Sequence, residues 1–179
     1  MARLRKGVSY RRKERPYTRV SKFSNKAYVK GAPVCKISRF DMGTLNNTYD
    51  FSVSLSPTVT LQIRQNALES ARQSCNKLLE DTLGKNFYFK VRVYPFHVLR
   101  ENPLAMGAGA DRFSTGMSHA FGKPIGTAAQ VKEGQTIFEV RVNAKDLSVA
   151  KKALLRATYK LPCKCHIVAV KMVSARELV

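Results

Sequence analysis

The sequence is short of acid. Twelve Asp and Glu face 32 Lys and Arg across 179 residues, giving a formal net charge of +20 and a pI near 10.2. The carboxylates are also scattered, and Glu101, Asp111, Glu133 and Glu139 form no cluster recognisable from spacing, which argues against hydrolysis by paired acids. Histidine is scarce as well, with three in the chain. His119 lies among Ser118, Ala120 and Phe121, where a hydrogen bond to phosphate or backbone fits better than a general base. His97 follows Pro95-Phe96 at a strand end, a place for a satisfied histidine or a nucleic-acid contact, and His166 reads as a strand side chain.

The four cysteines set no disulfide framework. Cys163, Cys165 and His166 are neighbours, but zinc sites space their cysteines more widely and need a second ligand pair, so no metal is expected. Cys35 stands alone and Cys75 reads as a small hydrophobe in a helix stripe. No apolar run approaches a membrane span, and the basic N-terminus leads into no apolar segment, so it does not read as a secretory signal. A cytosolic chain with reduced thiols is the expectation, with no membrane partner. No internal repeat is visible.

What is present is an ordinary 44% apolar content, enough in a chain of this length for one core, under a field that attracts polyanions. The cations crowd the start. Residues 1–30 hold Arg3, Arg5, Lys6, Arg11, Arg12, Lys13, Arg15, Arg19, Lys22, Lys26 and Lys30 against the single acid Glu14. Tyr10, Tyr17, Phe23 and Tyr28 are interleaved with them, a mixture suited to phosphates and bases. This segment is predicted to be an RNA-binding arm rather than part of the core.

Beyond it, residues 31–172 are predicted to form a single α+β domain, followed by a tail at 173–179. Short strands are expected at Lys36 to Asp41 and Phe51 to Leu55. Ile63, Ala67, Ala71, Cys75, Leu78 and Leu79 recur at helical spacing and Gly84 follows, which predicts a helix from Ile63 to Leu83. Alternation predicts strands with Phe87, Phe89, Val91 and Val93, and with Phe138, Val140 and Val142, on their buried faces. A second helix from Leu147 to Tyr159 and a last strand from Cys165 to Met172 complete a compact, hammerhead-like sandwich of mixed or antiparallel sheet and two helices.

Between the alternating strands lies a long glycine-rich loop, 100–130, whose stretch from Gly107 to Pro124 carries four of the ten glycines. It is not a Walker loop, because Met117 stands where the first glycine belongs and Pro124 follows Lys123. Nor is it a dinucleotide fingerprint, since Arg112 occupies the third glycine position. As a polyanion contact it makes sense: Gly107, Gly109 and Gly116 let backbone amides approach phosphates, Arg100, Arg112 and Lys123 add charge, and Ser114, Thr115 and Ser118 add small donors. A structureless run from Asn102 to Gln130 would be unusual in a compact domain unless functional. Two other functions share these features, a free-standing RNA- or DNA-binding regulator and an RNA-processing enzyme using His119 with Asp111, and nothing in the spacing favours either.

Five segments carry a specific resemblance: RPYTR (Arg15 to Arg19), FDMG (Phe40 to Gly43), YPFHVLREN (Tyr94 to Asn102), GAGADRFSTGM (Gly107 to Met117) and AFGKPIGTAA (Ala120 to Ala129). With the helix around Ala67 to Lys77, they cover most of the chain from Arg15 to about Pro162. The sequence resembles the large-subunit ribosomal protein family called L-ten-e in archaea and eukaryotes and L-sixteen in bacteria. The GADR stretch looks like the archaeal and eukaryotic branch, and ENPLAMGAGADR looks archaeal. The resemblance implies an rRNA-binding structural component of the large subunit, with neither catalysis nor a cofactor. It implies a seat below the central protuberance near the aminoacyl-tRNA site, among neighbouring ribosomal proteins, with the arm threaded through rRNA. It also implies that the segment from Arg100 to Gly116 extends toward the peptidyl-transferase region and tRNA acceptor arms, making Arg100, Arg112 and Lys123 RNA or tRNA contacts. Val170 to Val179 matches nothing in that family.

Overall fold

A computed structural model describes residues 6–172 apart from positions 12, 19–22, 27, 28, 30, 32, 46, 103–106 and 115. The chain runs α1 (Val8–Arg11), β1 (Asp41–Gly43), β2 (Phe51–Pro57), β3 (Leu61–Arg64), α2 (Gln65–Leu83), β4 (Tyr88–Val91) and β5 (His97–Glu101). It continues through α3 (Ala110–Phe113), β6 (Lys123–Val131), β7 (Phe138–Val142), α4 (Leu147–Thr158) and β8 (Cys165–Lys171). Short 3-10 turns occupy Ser24–Lys26, Gly116–His119 and Ala144–Asp146.

Two-residue alternation builds the larger sheet. In β2 the sequence FSVSLSP sends Val53, Leu55 and Pro57 inward and its serines outward. In β7, Phe138, Val140 and Val142 point in while Glu139 and Arg141 point out. Pairing Val53 with Val140 and Leu55 with Phe138 aligns these inner rows, and β4 adds Phe89 opposite Val140 and Val91 opposite Phe138. All neighbours are antiparallel, in the order β1-β4-β7-β2-β8. Phe89 and Phe138 meet edge to face at 5.5 Å within this core, an arrangement suited to the ring quadrupoles.

Helices α2 and α4 pack along each other, and α4 also contacts β2, β7 and β8. Leu68, Ala71, Cys75 and Leu79 of α2, with Ala150, Ala153, Leu154 and Ala157 of α4, are fully buried in the common core. Small residues on α4 let it approach closely, and the two expected helices and the antiparallel α+β class are therefore present.

The antiparallel strands divide between two sheets, because β3, β6 and β5 form a second one of three strands. Ile63 pairs with Ala129 in β3, so the helix expected from Ile63 begins at Gln65. The run expected to be structureless from Asn102 to Gln130 also resolves: its second part is β6, paired on both sides, and the connection between β5 and β6 is 102–122. The strand expected over Lys36 to Asp41 begins at Asp41 instead. Upstream, the backbone amide of Lys36 donates to Gln65 Oε1 at 3.0 Å and that of Ser38 to Glu69 Oε2 at 3.4 Å, so α2 side chains take the place of a strand partner.

Gln65 joins three segments, since its Oε1 also accepts from the buried Thr127 Oγ1 at 2.8 Å. Nearby, Arg72 and Glu69 form a largely buried ion pair at 2.6 Å, and the same guanidinium donates to Ser38 Oγ at 2.9 Å. The Arg72 hydrogen bond is the main reason the Glu69 carboxyl is lowered to about 2. This pair fixes the connector from the arm against the start of the long helix.

Candidate nucleic-acid interface

The β5–β6 hairpin projects the glycine-rich segment from the second sheet. At its base Arg100 pairs with Pro124 and Glu101 with Lys123. The two limbs pass so closely at Gly122 that a Cβ there would lie 2.7 Å from Glu101 backbone atoms. Only glycine allows this crossing without pushing the limbs apart. Further out, Gly107, Gly109 and Gly116 have φ of 115°, 78° and 64°, with nothing within 4 Å of the place a Cβ would occupy. They shape the backbone while leaving its surface open.

Arg100 is the centre of the base. Its guanidinium carbon lies 4.3 Å from the Phe121 ring centroid and 4.5 Å from that of Tyr17, two rings set edge-on to each other. Cation–π contacts with both rings hold the start of the hairpin, its end and the arm together. The arm is fixed by its backbone too. The Tyr17 amide donates to His97 Nδ1 at 2.8 Å, and the Val98 amide donates to the Tyr17 carbonyl at 2.9 Å. The first bond requires an unprotonated His97 Nδ1.

Two glutamines continue the seam. Gln130 Nε2 donates to the Glu14 carbonyl at 2.9 Å, and Gln62 Nε2 donates to the Ser9 carbonyl, while α1 rests against β3. The arm candidates Lys6, Arg11, Lys13, Arg15 and Lys26 stay exposed along this docked path. Lys26 also lies 5.8 Å over the ring of Phe23. Arg3, Arg5, Arg12, Arg19, Lys22, Lys30 and Thr115 lie outside the described residues, as does Tyr28.

In the hairpin loop, Gly107, Arg112, Gly116 and His119 are exposed, as is Lys123 at its base, Gly109 and Ser114 are half-buried, and Met117 is 89% exposed. Helix α3 turns Asp111 and Arg112 to solvent, and the His119 carbonyl accepts from Asn102 Nδ2 at 3.3 Å. Among the described residues, the structure thus brings Tyr17, His97 and Arg100 together at the base and leaves the other candidates along the arm or loop. Phe121 is the member of the base that sequence reasoning missed as a site residue. Its partners are remote in sequence and no spacing rule links them, although the AFGKPIGTAA stretch contains it.

The neighbouring cysteines build no metal site. Cys163 and Cys165 sulfurs lie 3.7 Å apart, while alternation along β8 sends His166 to the opposite face from Cys165. Among the described residues no group of three or more His, Cys, Asp or Glu could hold a metal ion, and no helix is long and apolar enough to cross a membrane. Burial pushes the Cys75 thiol up, as suits an inert core side chain.

Comparison with known proteins agrees with the resemblance. Large ribosomal subunit protein uL16 of Hyperthermus butylicus is 50% identical over 153 residues, covering 85% of this chain and 82% of that protein. Its namesake from Staphylothermus marinus is 49% identical over 154 residues, covering 86% and 85%. That of Methanocella arvoryzae is 48% identical over 163 residues, covering 88% and 95%. The profile of the family described as Ribosomal protein L16p/L10e matches residues 12–168, and with these archaeal relatives it places the chain in that family, in its archaeal branch.

Proposed function

We infer that the chain is a structural constituent of the large subunit of cytoplasmic ribosomes, associated with rRNA and other ribosomal proteins and not an enzyme. We propose further that it sits below the central protuberance and helps shape the aminoacyl-tRNA site near the peptidyl-transferase centre. In this reading residues 1–30 are the rRNA-binding arm, 31–172 the body and 173–179 a tail. The arm cations, with Tyr17, contact rRNA. His97, Arg100, Gly107, Gly109, Arg112, Ser114, Thr115, Gly116, His119 and Lys123 form the surface facing rRNA and tRNA acceptor arms.

The observation that carries this reading is the contrast within the hairpin. Its base is fixed by Arg100 between two rings, while its tip offers the exposed Arg112 and open glycine backbone. A fixed base aims the tip, and an open tip can follow an RNA surface through amides, small donors and charge. Many such phosphate contacts release counterions together, so binding should be tight and salt-sensitive.

Sucrose-gradient fractionation of a lysate, followed by mass-spectrometric detection of the chain and a high-salt wash, tests the placement. Stoichiometric presence in large subunits is expected, and absence from ribosomal fractions would overturn it. Replacing the arm cations should impair assembly, whereas Arg112→Gln or a shortened 107–116 should mainly impair tRNA handling. Loop variants that assemble poorly yet handle tRNA normally once assembled would contradict that division.

A further inference from the structure

A second cationic surface lies outside the hairpin. Three open cavities of about 300, 360 and 360 Å³ adjoin one another. The first and second share Tyr159 and Lys160, and the second and third share Tyr10 and Pro162, so together they form one groove. It runs from the end of α4, across the start of α2, to α1. Each cavity is within the size range of ligand pockets, about 300–1,000 Å³.

The lining has a one-sided chemistry. Lys77 and Arg156 stand in the first cavity, Arg64 and Lys160 in the second, Arg11 and Lys164 in the third. Among the described residues, no Asp or Glu lines any of them. Among the described residues, Lys77, Arg156, Lys160 and Lys164 make no ion pair. Like charges gathered along one lining repel one another, and a polyanion relieves that repulsion. Tyr159, 74% exposed, marks the junction of the first two cavities and Tyr10 the junction of the last two.

We propose that this groove is a second RNA-binding site, taking an unpaired strand whose phosphates lie against the cations and whose bases stack on Tyr159 and Tyr10. The proposal rests on the ribosomal reading above for the source of the strand. Aromatic rings spaced between cations favour a strand of bases over an acidic peptide, because every base offers a flat face to stack while a carboxylate needs only the charge. The recessed form suits a single strand better than the convex surface of a duplex.

Titration of the full chain with a 12-residue oligouridylate tests the groove directly. Tyr159 and Lys160 are exposed, so Tyr159→Ala and Lys160→Gln leave the core intact, which thermal melts of both variants verify. Tyr159→Ala should weaken binding at least fivefold, the low end of the effect of removing one stacking ring. Lys160→Gln should make the slope of log K against log salt shallower by roughly 0.7. Unchanged affinity and slope in both variants would overturn the proposal. In intact large subunits, Lys160 and Lys164 should be protected from amine acylation relative to the free chain. Full reactivity there, or a carbodiimide cross-link from either lysine to another protein's carboxylate, would overturn it as well. Absence of the chain from large subunits would instead defeat the ribosomal reading, while the oligouridylate titration still decides the groove.

Discussion

The two sheets use the same antiparallel pairing for opposite purposes. The five-stranded sheet is joined to its helices by apolar side chains, with Val53, Leu55, Phe89, Phe138, Val140 and Leu154 all fully buried. The three-stranded sheet shares that core through Leu61, Ile63, Ala129 and Val131, but it also carries polar attachments: glutamine side chains, arm carbonyls and an arginine between rings. Apolar packing is strong and indifferent to ligands. Polar and cation–π contacts are individually weaker, and they put charge where a polyanion can reach it. One region supplies stability and the other aims a surface.

That contrast makes a ranked set of stability expectations. Phe138→Ala, at the centre of the larger sheet, should cost about 3–5 kcal/mol in denaturant unfolding through lost burial and a cavity. A smaller loss would mean the core collapses around the gap. Gly122→Ala forces a methyl into the Glu101 backbone and should cost about 1–3 kcal/mol, with hydrogen exchange quickening in β5 and β6 before it does in β7.

Acid tests the seam between the regions. Because the folded Glu69 carboxyl is lowered to about 2 from an ordinary 4.5, its contribution is complete above about 4.5 and is lost as pH falls toward 2. Glu69→Gln should flatten that part of the pH–stability curve and cost on the order of 1–3 kcal/mol at neutral pH, since Arg72 loses its charged partner. An unaltered acid limb would place the sensitivity elsewhere. Arg100→Ala should cost only about 1 kcal/mol globally, yet trypsin should cut faster after Lys13 because Tyr17 loses its anchor. Arg112→Gln, at the exposed tip, should stay within about 0.5 kcal/mol of the parent while impairing translation.

How much the sequence revealed divides along the same line. The strands around Phe89 and Phe138 were legible because their apolar residues alternate, and α4 because its small and apolar residues repeat with helical period. The second sheet was hidden. In β3 three successive residues are buried, so no alternation marks it, and it runs into α2 without a turn. In β6 the strand contains Pro124, Gly126 and two alanines, residues with weak strand preference, and 126–129 are all buried. Pairing on both sides makes this a strand, and pairing is long-range information.

The site divides similarly. Charge, glycine and family resemblance picked out the arm and the loop, and Arg100 among them. They did not reveal that Tyr17 and Phe121 converge on it, because those contacts depend on a hairpin that was itself invisible. Tyr159, Lys160 and Arg64 drew no attention either, being ordinary residues at helix ends until the fold set them side by side.

The Val98 amide bonded to the Tyr17 carbonyl has a consequence for the chain before it meets its particle. β5 is an outer strand of its sheet, and bare strand edges invite other chains to pair with them. By laying its own arm on that edge, the newly made protein covers the place where two copies would stick. The segment proposed to meet the polyanion thereby also covers an edge open to self-association, and a chain begun after residue 18 should lose solubility sooner than it loses its fold.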